Sequence, residues 1–111
     1  MELDRERDQQ AVAALDPAVR AAIAGMLSPQ FSTKRLIDAL QGWPDGALAY
    51  SVALRIAEDA GATDSMARHI IHGQIIPGIL RSCGLVRFAG FIHGNPAEDD
   101  GYGVPSRWRR L

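Results

Sequence analysis

One glycine dictates how the middle of this chain folds. Gly61 sits between two runs of helical periodicity in Leu54-Arg-Ile-Ala-Glu-Asp-Ala-Gly-Ala-Thr-Asp-Ser-Met-Ala-Arg-His-Ile-Ile-His-Gly73. Only glycine enters the left-handed conformation that closes a helix C-terminus without a Cβ penalty, so the first helix is expected to stop there. The second starts almost at once, because Thr63 or Asp64 can accept a hydrogen bond from the unpaired amides of the following turn. The stretch therefore reads as a helix, a sharp turn and a second helix.

The second helix has two unlike sides. At a period of 3.6 residues, Ser65, Arg68, His69 and His72 share one face, while Met66, Ala67, Ile70 and Ile71 share the other. One side packs and the other is left to read a partner. The pattern Ile56-Ala57, Ala60-Gly61-Ala62-Thr63, Met66-Ala67-Arg68 resembles the helix-turn-helix of bacterial and phage repressors. In that family the alanine packs between the helices, the glycine makes the turn and the second helix enters the major groove. The resemblance covers about twenty residues, and a plain helical hairpin with a glycine turn satisfies the same spacing.

The chain of 111 residues has the length of one domain, and its 47% hydrophobic content suffices for one modest core. The apolar runs are short and broken by charges, and the acidic start Met1-Glu-Leu-Asp-Arg-Glu is unlike a secretory signal. No membrane association and a cytoplasmic location are the expectation. The single Cys83, between Leu80 and Leu85, is expected to be a buried, inert thiol. Net charge is −1, too little for strong nonspecific attraction to nucleic acid. Its distribution is uneven: residues 1–65 carry six cations against ten acids, whereas residues 66–111 carry six against three. Attraction to phosphate would act through the C-terminal half.

Taken in order, residues 4–15 read as a frayed helix. Asp16-Pro17 reads as the start of a better one, with Asp16 as N-cap and Pro17 at the first helical position. That helix presents Val19, Ile23 and Met26 and should end near Ser28-Pro29. Ser32 can cap the next helix, with Phe31 packing on Leu36 and with Leu36, Ile37 and Leu40 as its buried stripe. Lys34 and Arg35 fall in its first turn, against the helix dipole. Gly42-Trp43-Pro44-Asp45-Gly46 is a turn, with Trp43 covering the helix ends. The following helix carries Leu48, Val52 and Ile56 as an apolar stripe, flanked by Ala49, Ala53, Ala57 and Ala60. Past Gly73, Pro77-Gly78 predicts a break near Gln74 and then a short helix with Pro77 in its first turn, Ile76, Ile79, Leu80 and Cys83 inward and Gly84 at its end.

The C-terminal part reads as a long hairpin. Leu85–Ile92 is rich in β-branched and aromatic residues, and Val104–Leu111 alternates, with Val104, Ser106, Trp108 and Arg110 on one side. Residues 93–103 form the loop, and Pro105 confines the second strand to a sheet edge. The fold class is thus mainly α with a C-terminal β-hairpin, an α+β chain. A helix-turn-helix followed by a hairpin over residues 85–111 resembles a winged helix spanning 1–111 as one domain.

That resemblance implies binding of double-stranded DNA by a small transcriptional or mobile-element regulator. Ser65, Arg68, His69 and His72 would face base edges, arginine's planar fork matching guanine O6 and N7. Arg87, Arg107, Arg109 and Arg110 on the hairpin would contact phosphates, which position without reading sequence. Many such domains act as two-fold dimers, and the N-terminal helices can supply a contact. Glu98, Asp99 and Asp100 at the expected wing tip argue against DNA there. They favour the alternative, a winged-helix protein-interaction module such as a phage-encoded inhibitor or a subunit of a larger complex, meeting a basic partner through the acidic loop. Catalysis is not indicated: no nucleophile sits in a motif and no glycine-rich phosphate loop follows a strand. His69, His72 and His93 lack the cysteine or carboxylate that would complete a metal site, and no cofactor is expected.

Overall fold

The structure, a computed structural model, describes residues 2–98, 101 and 105–111, with side-chain burial from residue 6 onward. It is mainly helical, with a three-stranded antiparallel sheet of order β1-β3-β2. Asp99, Asp100 and Val104 lie outside the described residues.

The N-terminal region is one continuous helix, α1 (Glu2–Gly25), rather than a frayed segment followed by a new start at Asp16-Pro17. Pro17 lies inside it, where the missing N–H and the crowded preceding turn cost about 3 kcal/mol. What outweighs this is burial: Ala11, Leu15, Val19, Ala22 and Ile23 form one uninterrupted stripe in the core, while Pro17 itself faces solvent. Each large aliphatic side chain so buried contributes about 1.5–3 kcal/mol. Asp16 accepts from Arg20 one turn on (2.9 Å) instead of capping. The helix ends at Gly25, ahead of the expected stop at Ser28-Pro29.

After it comes β1 (Gln30–Ser32), a strand that the sequence pattern is too short to reveal, and then α2 (Thr33–Gln41). Ser32 caps α2 as expected, its hydroxyl accepting from the Arg35 amide, and Leu36, Ile37 and Leu40 are buried. Phe31 is buried too, and in the sheet it stands opposite Trp108.

α3 (Pro44–Asp59) begins with Pro44 directly after an extended Trp43. Its buried face differs from the expected one. Gly46, Tyr50, Ala53, Leu54 and Ala57 turn inward, whereas Leu48 and Val52 are 64% and 42% exposed. The small residues decide the rotation. A Cβ at Gly46 would lie 2.1 Å from the Leu40 carbonyl oxygen, so α3 meets the end of α2 closer than any side chain would allow.

α4 (Asp64–Ile70) and α5 (Ile76–Ser82) are expected to be separated by a break, yet they join through a π-helical turn at Ile71–Ile75. The Ile76 amide donates to the Ile71 carbonyl, five residues back. The wider turn absorbs Pro77, which has no N–H to give and would clash in a regular α-turn. Ile75, Ile76, Ile79, Leu80 and Cys83 are buried, and Gly84 (φ +77°) follows the helix end.

β2 (Val86–Phe91) and β3 (Ser106–Arg110) form the expected hairpin, with Phe88 opposite Trp108 and an irregularity between Phe88 and Phe91. β3 is nevertheless the central strand, paired on its other side with β1, and not an edge. Pro105 stands just before it, so the missing N–H falls outside the ladder, and its carbonyl accepts from the Ile92 amide (2.8 Å). Trp108 is 1% exposed, and its indole N–H donates to the Thr33 hydroxyl (2.8 Å), which also bonds the Ser106 hydroxyl (2.6 Å).

Candidate nucleic-acid interface

The turn between α3 and α4 is closed at both ends by its own backbone and one hydroxyl. Gly61 takes φ +106°; its amide donates to the Glu58 carbonyl (2.9 Å), and the Ala62 amide donates to the Ala57 carbonyl (3.1 Å). These paired bonds satisfy carbonyls that a helix end otherwise leaves open. Thr63 then caps α4, its hydroxyl accepting from the Met66 amide (3.2 Å). Ala67, Ile70 and Ile71 pack inward, but Met66, expected with them, is 56% exposed. It lies at the first turn, beyond the end of α3.

On the outward side of α4, Ser65 and His69 are exposed, and Arg68 and His72 are half-buried. Tyr50, on the inner face of α3, ties the latter two down. Its hydroxyl bonds His72 Nε2 (2.6 Å) and accepts from Arg68 Nη1 (3.3 Å), and the tyrosine and imidazole rings meet edge to face at 5.6 Å. Arg68 Nε also donates to Asp64 one turn back (3.2 Å). Of the reading side chains expected from sequence, Ser65 and His69 are thus exposed, His69 on the wall of the cavity between this helix and the sheet, and Arg68 and His72 are braced against α3. Tyr50 was the residue missed; it falls on the stripe Gly46, Tyr50, Ala53 and Ala57, the inward one.

The hairpin arginines do not join α4. Side chains alternate across a strand, so Arg107 and Arg109 point away from the face that carries Trp108. Arg87 stands directly opposite Arg109, and Arg107 opposite Ser32. All three are exposed, and among the described residues none has an acidic partner. Two like charges placed opposite one another on a ladder repel, which favours an anion over this face. Arg110 alternates to the other side, opposite Val86, and donates to the Met26 carbonyl.

Glu98 is not displayed at a wing tip. The loop makes a short 3-10 turn at Pro96–Glu98 and brings the carboxylate back to the start of α2. There Glu98 accepts from the Ser32 hydroxyl (2.5 Å) and from Arg35 Nε (3.1 Å), with 13% of its side chain exposed. The Ser32 hydroxyl, then Arg35 and Lys34, hold the carboxyl below its ordinary range, against burial, which acts the other way. A protein partner contacting Glu98 would find it already occupied.

Between the α4–α5 helix and the inner sheet face lies a cavity of about 520 Å³. His69, His72, Gln74, Pro77 and Arg81 line one side, and Phe88, Phe91 and Trp108 the other. Gln74, Arg81 and the two phenylalanines carry no motif; only the π turn and the hairpin register bring them together. Among the described residues, no three of His, Cys, Asp and Glu come together as a metal site requires, and no helix is long and apolar enough to cross a membrane. Comparison with protein families, with curated proteins and with solved structures finds no match.

Proposed function

We propose that this chain is a winged helix-turn-helix protein that binds double-stranded DNA through α4. The observation that carries the reading is the α3–turn–α4 unit: both sides of its turn are hydrogen-bonded, and the second helix keeps a polar outer side ending in exposed Ser65 and His69. Such a helix fits a major groove, where hydroxyl and imidazole groups reach base edges. A C-terminal antiparallel hairpin after the second helix supports the winged form. Glu98, which would repel phosphate if free, is paired with Arg35. Arg87, Arg107 and Arg109 supply a second, nonreading contact to phosphate on the outer sheet face.

The experiment is fluorescence anisotropy on random-sequence duplex DNA across a salt series. Each phosphate contact contributes about −0.9 to the slope of log affinity against log salt. The Arg87/Arg107/Arg109→Ala variant is expected to flatten that slope by two to three such increments, and His69→Ala to reduce discrimination among selected sites while leaving the slope unchanged. Absence of binding at low salt, or binding indifferent to all four residues, sinks the proposal.

A protein-interaction module is the second reading, and Leu48 and Val52 now favour it more than the acidic loop does. They lie one turn apart on α3, both exposed. Loss of a purified partner's binding in Leu48→Glu with duplex binding retained would support this reading; duplex binding lost in the same variant would count against it.

A further inference from the structure

We infer that the cavity between α5 and the sheet binds a nucleotide unit, an aromatic base carrying a phosphate. Its volume, about 520 Å³, lies in the range of small-molecule sites. Phe88 and Phe91 stand edge to face at 5.0 Å on one wall and are 46% and 55% exposed. Aromatic rings left bare on a concave wall offer a stacking platform to a base, whatever its identity. Trp108 backs Phe88 at 5.6 Å, and its own N–H is taken up by Thr33, so the platform is rigid.

The opposite wall supplies the polar half. His72, Gly73 and Gln74 all belong to the π turn, and all three line the cavity. A single wide turn in an otherwise regular helix recurs at functional sites, because it re-aims side chains that a regular turn would point elsewhere. Gln74 has both donors and an acceptor for a base edge. Arg81, one turn past Pro77, is exposed, lines the same cavity and has no ion pair among the described residues. Lys34 and Glu98 also line the cavity, each with its charge already met, Lys34 by Asp38 (2.9 Å) and Glu98 by Arg35 (3.1 Å).

These two walls together select the ligand. A bare phosphate would leave the phenylalanines uncovered, and an apolar side chain would leave Arg81 and Gln74 facing it without partners. A base with its phosphate satisfies both. The same unit occurs as a free mononucleotide and as a residue of a single strand.

The test is titration of the isotope-labelled full chain with AMP, followed by amide NMR shifts, with adenosine and inorganic phosphate as the two halves. AMP is expected to shift Gly73, Gln74, Phe88 and Phe91 and to bind at least tenfold more tightly than either half. Arg81→Gln should weaken AMP about tenfold and leave adenosine unchanged. Phe91→Ala should weaken AMP and adenosine alike, about tenfold, by removing one stacking face. A single-stranded trinucleotide binding the same amides tenfold more tightly than AMP assigns the site to a strand, and equal affinity assigns it to the free nucleotide. Shifts outside the cavity, phosphate binding as tightly as AMP, or an unchanged AMP affinity in Arg81→Gln overturns the assignment. None of these readouts involves duplex DNA, so the site stands or falls apart from the function proposed for α4.

Discussion

Gly46→Ala puts a number on how closely α3 is seated on the end of α2. The added Cβ would lie 2.1 Å from the Leu40 carbonyl oxygen and 2.7 Å from the Trp43 ring. Ordinary carbon contacts begin near 3.5 Å, so α3 or the end of α2 must shift by more than an ångström. Alanine brings an intrinsic helical advantage of about 1 kcal/mol. Overpacking against main chain costs about 3 kcal/mol, the upper end of the usual range, because a carbonyl in a helix cannot swing aside as a side-chain tip can. The net is a loss of about 2 kcal/mol, a melting temperature lower by roughly 8 °C for a chain of this size. Gly78→Ala is the matched control: it also lies in a helix, and a Cβ there meets nothing within 4 Å. It should gain up to about 1 kcal/mol. Thermal unfolding by circular dichroism of both variants decides the matter. If Gly46→Ala melts at or above the wild-type temperature, the close seating of α3 on α2 is wrong.

Other outcomes follow from the same contacts. Glu98→Gln removes a charge-assisted pair and should cost roughly 1.5–3 kcal/mol at neutral pH. Because the folded carboxyl is held low, mainly by the Ser32 hydroxyl, its stabilisation is full above the ordinary glutamate range and is lost as pH falls through the folded value. Urea unfolding of wild type and variant should therefore converge in acid, and a constant difference down to the lowest pH would contradict it. Tyr50→Phe deletes the hydroxyl shared by His72 and Arg68, at about 0.5–1.5 kcal/mol, and should move the His72 ring resonances in NMR. Unmoved resonances would refute that contact. Thr63→Ala removes the cap of α4 for about 1 kcal/mol, and Thr63→Ser should restore most of it; equal stability of Thr63→Ala and wild type would show that the hydroxyl caps nothing.

Local chemistry made some of this fold legible. Gly61 and Thr63 mark the turn because each does something no neighbour can, and Ser32 marks the start of α2 for the same reason. Periodicity was less reliable where two stripes competed. Leu48, Val52 and Ile56 are the more apolar row on α3, but the row with Gly46, Ala53 and Ala57 allows the closer approach, and packing density prevails over hydrophobicity summed along a line. The two prolines differ. Pro17 predicts a boundary and is carried inside a helix by a long buried stripe, whereas Pro77 stands in the first turn of α5 as its spacing predicts, and only the break before it is replaced by a π turn. The candidate DNA contacts were partly visible: the outward face of α4 follows from its period, whereas the diversion of Arg68 and His72 onto Tyr50 depends on a contact across elements. The cavity was invisible, since Gln74, Arg81 and Phe88 meet only after the sheet register and the π turn are set.

The position of β3 between β1 and β2 fixes an order of events for the nascent chain. β1, three residues long, has no neighbour of its own until residues 106–110 are made, and Phe31 and Thr33 meet Trp108 only then. Such contacts between distant parts of the sequence form late, because the long intervening loop must close before they give any return. The helices can gather on the ribosome while the sheet waits, leaving Phe31 and Val86 without their strand partners for that interval. A chain stopped at residue 105 would lack the strand that both neighbours pair with. Pairing of residues 106–110 with both neighbours is thus the step that locks the sheet, and substitutions at Trp108 should act on the yield of folded protein as much as on its stability afterwards.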